Sequence, residues 1–504
     1  MPAQQYDPRF PYRTELDHPV VGLESEFVVW IDEQKVVPEE VWKTPSGFIQ
    51  RPLLSRSNKS SQLPTGGAVY FDGGVLEVVT PVVEIGPQCT ARVVRSLWEQ
   101  VGFIREELDA WERRTGHRVR LEAFSCHFNI SFELARDERS RDRTIQKLAL
   151  LLAHLLPVPA IVTGANRRST GVGVRPRRER IEITFDFTPD PGLMSATAAL
   201  LVGVIREVIT WPSYRVEEAI SRGLPFLEGV EPGKHVTRKG WLTKDYHYPR
   251  SPFTSDIDEE SWTLRDGRVV SLRAMALEIA TYFRDSIRRH SDPFSYRLLF
   301  SVLSGETPSL LDLRDRPAAY DDVGRQARWA HVIPELDNFE SLMLGDSHLD
   351  LALGQHLASR ETRRAQHAQQ QETTRSLAPQ ARRRRVSDVT SKLVPPWSGE
   401  PADVDRRQDD AITPSDRRRG DRRRAITEEE ASTPLSRSAY ESVFIRLGTG
   451  APLEIGGQML QPLAVKGWYH ALFRTPEGEE RMLSIDQLVP IVEAEQKIPT
   501  AAAR

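Results

Sequence analysis

Side chains able to hold a cation or take up a proton fall on four short alternating segments. Glu24 and Glu26 lie in residues 20–30 (VVGLESEFVVW), and Asp72 and Glu77 in residues 69–81 (VYFDGGVLEVVTP). His127 and Asn129 lie in residues 119–131 (VRLEAFSCHFNIS), and Glu182 and Asp186 in residues 180–187 (RIEITFDF). Residues two apart on a strand share a face. Glu24 and Glu26 therefore stand together, opposite Leu23, Phe27 and Val29, and Glu182 with Asp186 stands opposite Ile181, Ile183, Phe185 and Phe187. In the third segment His127, Asn129 and Ser131 share a face, and Phe124, Cys126, Phe128 and Ile130 form the other; in the second, Asp72 and Glu77 flank a Gly73-Gly74 break. Like charges facing one another on neighbouring strands are destabilising, so an acid-lined sheet face needs cations, and a divalent metal is the obvious one. A solvated antiparallel face also alternates, but it usually mixes Thr, Lys, Arg and Ser. These segments select carboxylates, His and Asn instead.

The elements that must carry these residues follow from periodicity. Residues 90–115 place Val93, Leu97, Val101 and Leu108 on one helical stripe, suited to the apolar side of a sheet. Residues 144–156 and 195–209 are apolar nearly all round, which predicts buried helices, and further helices are expected over 270–290 and 294–303. Strands and helices in this order predict an α+β fold: a curved, mostly antiparallel sheet with helices packed on one face.

The chain divides into three. Residues 1–353 form the main domain, residues 354–436 an Arg- and Gln-rich tract with too few apolar groups to order itself, and residues 437–504 a small β-barrel-like domain. In the last of these, 442–448 reads as a strand, and Trp468 and His470 read as core residues. With 504 residues, 39% of them apolar, there is material for a large core. A net charge of −3 supplies no general attraction to nucleic acid or anionic membrane. Acids punctuate the Arg runs of the linker and no aromatics interleave them, which favours a solvated tether over nucleic-acid docking. Two cysteines, an opening without a signal-like apolar run and no membrane-length apolar stretch together predict a cytoplasmic protein. Cys126 points to the apolar face by parity, away from His127, which argues against a catalytic thiol. The stretch 164–173 (GANRRSTGVG) lacks Walker spacing and reads as a mobile loop near the site.

These residues, in order, resemble the glutamine synthetase superfamily, and within it the carboxylate-amine ligase branch that includes glutamate–cysteine ligases and the ligase for the prokaryotic ubiquitin-like protein Pup. The resemblance covers roughly residues 20–210. It rests on Gly22-Leu-Glu24-Ser-Glu26-Phe27, on Tyr70-Phe-Asp72 with Glu77 and Thr80-Pro81, on His127-Phe-Asn129, and on Arg175-Pro176 with Arg180 and Glu182. Many members carry an Arg two residues after that last Glu, where this chain has Thr184. The resemblance implies a glutamine synthetase-like catalytic domain using ATP and Mg²⁺ to join a carboxylate, glutamate-like or peptide, to an amine through an acyl phosphate. It implies Glu24, Glu26, Glu77 and Glu182 as metal ligands and Asp72 as the base. It further implies His127 and Asn129 as nucleotide contacts, with Arg175 and Arg180 clamping phosphate and acting in catalysis.

Two other readings stay open at this point. One is an amide hydrolase (deamidase) on the same nucleotide-binding scaffold, with Asp72 acting on water. The other is a non-catalytic, degenerate member acting as an adaptor, with a protein partner held by the linker or the C-terminal domain. Homo-oligomers occur in the families resembled.

Overall fold

The computed structural model describes residues 16–56, 60–134, 140–235, 240–326 and 437–497; the linker expected over 354–436 lies outside them. In chain order the first strands are β1 (Val20–Ile31), β2 (Gln34–Val36), β3 (Leu54–Arg56), β4 (Ser61–Gln62), β5 (Ala68–Asp72), β6 (Val75–Val79) and β7 (Val83–Glu84). They are followed by β8 (Val119–Ser131), β9 (Gly171–Pro176), β10 (Arg180–Asp186), β11 (Gly233–His235) and β12 (Gly240–Lys244). The sheet runs in the order β11-β12-β9-β10-β8-β1-β6-β5-β4-β3, every neighbouring pair antiparallel. A separate ribbon pairs β13 (Trp262–Thr263) with β14 (Val269–Val270).

The register turns the sequence alternation into geometry. Glu26 lies opposite Glu77 on one side and Ser125 on the other, and Glu24 lies opposite His127. Asn129 faces Gly22 and Glu182, and Glu182 in turn faces Arg175. Leu23, Phe27, Leu76, Val78, Phe128, Ile130, Ile181 and Ile183 take the opposite face and are fully buried. Two aromatic contacts knit that face together: Phe128 stacks on Phe185 at 5.4 Å, and Phe27 meets Phe187 edge-on at 5.3 Å.

The helices are α1 (Pro38–Trp42), α2 (Cys89–Thr115), α3 (Ile145–Leu155), α4 (Pro157–Gly164), α5 (Pro191–Ile209), α6 (Val216–Ser221), α7 (Leu272–Tyr282), α8 (Arg284–His290) and α9 (Pro293–Ser304). α2 buries the predicted stripe Val93, Leu97, Val101 and Leu108 against β1 and β6. Arg113 and Arg114 in its last turn suit the negative end of the helix, and Gly116 ends it in the left-handed conformation at φ 80°. α5 starts where Asp190 accepts from the Leu193 N–H and Pro191 occupies the first turn. It is long and apolar enough to cross a bilayer, yet it lies between α2, α4, α8 and α9. Burial on every side explains why its sequence shows no polar face.

Two expectations change. Between the pairs Glu26–Ser125 and Phe27–Ala123 one residue of β8 is extra, so Phe124 forms a β-bulge. Its ring is 54% exposed, and Ala123 and Leu121 fill the core positions that strict alternation denies them. Phe124→Ser should therefore leave urea-unfolding stability within about 0.5 kcal/mol of wild type; a loss of several kcal/mol would place the ring in the core after all.

The second change is at the C-terminal end. Residues expected as a strand form α10 (Ala439–Gly448), begun by a capping box in which Ser438 and Glu441 bond each other's backbone N–H. Then come β15 (Leu453–Ile455), β16 (Gln458–Lys466), β17 (His470–Arg474), β18 (Glu480–Ser484) and α11 (Ile485–Lys497). These elements have a core of their own, including Tyr440, Phe444, Leu460, Phe473 and Leu488. They also continue the main sheet: β16 runs parallel to β3, with Ala464 opposite Ser55 and Val465 opposite Arg56. A buried ion pair, Arg95 Nη2 to Glu441 Oε1 at 2.8 Å, joins α2 to α10.

Candidate functional site

On the acid-lined face the carboxylates and the imidazole converge. Glu24, Glu77 and His127 each offer a ligand atom, all within 4.8 Å of one another. Glu24 Oε2 lies 3.3 Å from His127 Nδ1, which fixes the ring. Glu26 sits alongside: its Oε2 accepts from the Ser125 hydroxyl at 2.5 Å, and its Oε1 is 3.8 Å from His127 Nε2. Glu77 is only 3% exposed. Burial, then the Glu24 charge, push its carboxyl up to about 9, against a lowering hydrogen bond from Tyr70. Burial also raises Glu24, but the hydrogen bond and charge of His127, with Arg180 beyond, outweigh it and hold Glu24 below the usual carboxylate range. The pair thus keeps one proton, on the Glu77 side. A divalent cation placed between them would displace that proton, so the donor set fits a metal.

Glu182 is elsewhere on the face and already paired. Arg175 Nε and Arg177 Nε approach its two oxygens at 2.7 Å each, and Glu182 is 1% exposed. Arg175 Nη2 also donates to the Thr184 hydroxyl at 2.6 Å and lies 3.4 Å from His127 Nε2. A guanidinium from β9 therefore occupies the space beside Thr184. Arg180 donates from Nε to Asn129 Oδ1 at 2.7 Å. The sequence-selected residues are all on one face, with Glu24, Glu77 and His127 in one group, Glu26 beside it, and Glu182 with Arg175 in another.

Asp72 lies at the exposed end of the β5–β6 hairpin, two residues beyond Tyr70 and so on the same face. Gly73 and Gly74, at φ 60° and 90°, form the two-residue turn of that hairpin, a conformation that favours glycine at both positions. On β10, opposite Ser125, Asp186, its carboxyl raised by burial, accepts from Asn166 Nδ2 at 2.9 Å and from the Ser169 hydroxyl. The glycine-containing loop is thereby anchored to the sheet through Asn166 and Ser169, both buried.

Sequence reasoning passed over three participants. Ser125 shares the parity of His127 and was there to be read. Arg177 stands among other arginines in the β9–β10 turn, while Tyr70, already part of the motif, stands opposite Glu77. Arg56, whose guanidinium burial lowers to about 10 and whose charge reaches Tyr70 and Glu24, gave no local signal.

No protein-family model matches the chain, and no curated protein matches it. Among solved structures, the crystal structure of the complex between prokaryotic ubiquitin-like protein Pup and its ligase PafA is similar, with 12% identity, a TM-score of 0.40, and coverage of 95% of this chain and 93% of that one. At that distance, activity has to be read from the side chains.

Proposed function

We propose that the chain is an ATP- and Mg²⁺-dependent carboxylate-amine ligase that activates a glutamate-like or peptide carboxylate as an acyl phosphate and passes it to an amine. The observation that carries this reading is the convergence on one sheet face of Glu24, Glu77 and His127 within 4.8 Å of one another, with Arg175, Arg177 and Arg180 on and between the adjoining strands. Bound there, Mg²⁺ would neutralise triphosphate oxygens while keeping some of its waters.

The protein's own groups supply the rest. Glu24 and Glu77 offer carboxylate oxygens, and His127 offers a ring nitrogen oriented by its bond to Glu24. Arg180, steadied by Asn129, and Arg175 and Arg177, steadied by Glu182, present N–H donors suited to phosphate oxygens. The substrate carboxylate attacks the γ-phosphorus and ADP leaves. The amine nitrogen then attacks the acyl carbon and phosphate departs, while exposed Asp72 accepts the amine proton.

The test is ADP and phosphate release by the full-length chain given MgATP and pools of amino acids and peptides. Release that needs both a carboxylate and an amine, and is lost in Glu24→Ala, is the expected result. Absence of any thermal shift with ATP at millimolar Mg²⁺ would sink the reading. Amide cleavage without net ATP consumption would move the assignment to a hydrolase.

A further inference from the structure

Glu26 is a buried acid with little to hold it. It is 8% exposed and lies opposite Glu77 on β6, a like charge on the same face that neighbouring strands bring within about 5 Å at Cβ. Among the described residues, the Ser125 hydroxyl is the one group that donates to its carboxylate within hydrogen-bond length, to Oε2 at 2.5 Å. The same hydroxyl oxygen lies 3.4 Å from His127 Nε2, and the other Glu26 oxygen, Oε1, lies 3.8 Å from that nitrogen. Ser125 therefore stands in the angle between the carboxylate and the ring. A glutamate side chain rotates at every bond along its length, so tying down one oxygen decides where the other points. Here it points at the ring that shares a group with Glu24 and Glu77.

The strand is built to put a hydroxyl there. Ser125 is opposite Glu26, and the next pair along is Ala123 with Phe27, so the bulge at Phe124 begins immediately beyond it. Bulges re-aim the side chains around them. Past this one Ala123 and Leu121 turn into the core, whereas Ser125, His127 and Asn129 keep to the acid face. The bulge is itself braced: Arg316 donates from Nη2 to the Ala123 carbonyl at 3.0 Å, and its guanidinium lies 4.3 Å from the Tyr320 ring. On the other flank Ser125 faces Asp186 of β10, which the Asn166 and Ser169 side chains hold. With the backbone fixed on both sides, the hydroxyl has little room to follow a moving carboxylate. It sets the carboxylate's position, and not the reverse.

We propose that Ser125 is a positioning residue: its hydroxyl locks Glu26 with Oε1 turned to His127, so that Glu26 joins Glu24, Glu77 and His127 in holding a divalent cation. This rests on the metal reading above and gives a role to a residue that no motif of the sequence marks. The experiment titrates full-length wild type, Ser125→Ala and Ser125→Thr calorimetrically with Mn²⁺, an ion that takes the same oxygen ligands as Mg²⁺, and records the metal-free thermal unfolding of each. Ser125→Ala should bind Mn²⁺ about 10- to 100-fold more weakly, the usual cost of losing a group that orients a ligand, while its metal-free form still unfolds in a single cooperative transition. Ser125→Thr keeps a hydroxyl on a residue suited to strands and should stay within about threefold of wild type. Because the effect passes through Glu26, Ser125→Ala made in a Glu26→Gln background should add less than about threefold to the loss that Glu26→Gln causes alone. Ser125→Ala binding as tightly as wild type, a Thr variant as weak as the Ala variant, or losses that multiply in the double variant overturns the proposal. Wild type that binds no Mn²⁺ overturns the metal reading itself, and this proposal with it.

Discussion

Glu77→Gln is expected to abolish the pH dependence of metal-induced stabilisation and to lower turnover by at least about a hundredfold, since even outer-shell changes at metal sites cost 10- to 100-fold. The sign follows from the raised carboxyl. Folded Glu77 keeps its proton up to about 9, whereas in the unfolded chain it ionises near the ordinary 4.5. Between those values the folded state binds more protons than the unfolded one, so the stability contributed by this group falls as pH rises, by at most about 1.4 kcal/mol per pH unit. A bound divalent cation reverses the trend, because it takes the place of the proton and binds more tightly as protons become scarce. Thermal unfolding of the wild type with and without Mg²⁺ or Mn²⁺ should show a metal-induced shift that grows from pH 6.5 to pH 8.5. Glu77→Gln carries no ionisable group there, so its metal-free protein should lose the downward slope, and its metal response should be small and flat. A wild-type metal response independent of pH would show that burial and the Glu24 charge do not keep a proton on Glu77.

Much of this site was legible because a strand's alternation is a hard geometric constraint. Glu24, Glu26, Glu77, His127, Asn129 and Glu182 had to share faces once their segments paired in register, and the antiparallel pairings of β6, β1, β8 and β10 bring those faces together. The helices α2 and α5 were legible for the same reason at a different period. What alternation cannot show is an interruption of itself: Phe124 is one residue too many in β8, and a bulge depends on the partner strand. α10 was misread because SVFIRLG is short and rich in β-favouring residues, so packing against α11 and β7 decides its conformation. The capping box at Ser438 and Glu441 was the signal for a helix start. Arg56 and Trp468 lie 412 positions apart and meet only because β16 adds to the edge of β3. No local pattern carries such a contact.

Glu182 is the residue on which sequence and geometry place different weights, and stability can separate them. Removing one partner of a buried ion pair leaves the other charge uncompensated, which typically costs about 3–5 kcal/mol. Glu182→Ala would take the Glu182 carboxylate away from Arg175, itself 4% exposed and set against His127 and Thr184, and would release Arg177 from the same partner. The metal-free variant is therefore expected to unfold in urea with a loss of about 3 kcal/mol or more. Adding Arg175→Met should recover part of that loss, because the stranded charge is then gone; this is the coupling a double-mutant cycle isolates. A ligand role alone predicts the opposite pattern: little change without metal, a large loss of metal affinity, and no rescue by the second substitution. If metal-free Glu182→Ala stays within about 0.5 kcal/mol of wild type, the arginine clamp contributes nothing and Glu182 is held in place for a cation instead. If the loss and the rescue both appear, Glu182 is what positions the two arginines, as the proposed phosphate contacts require.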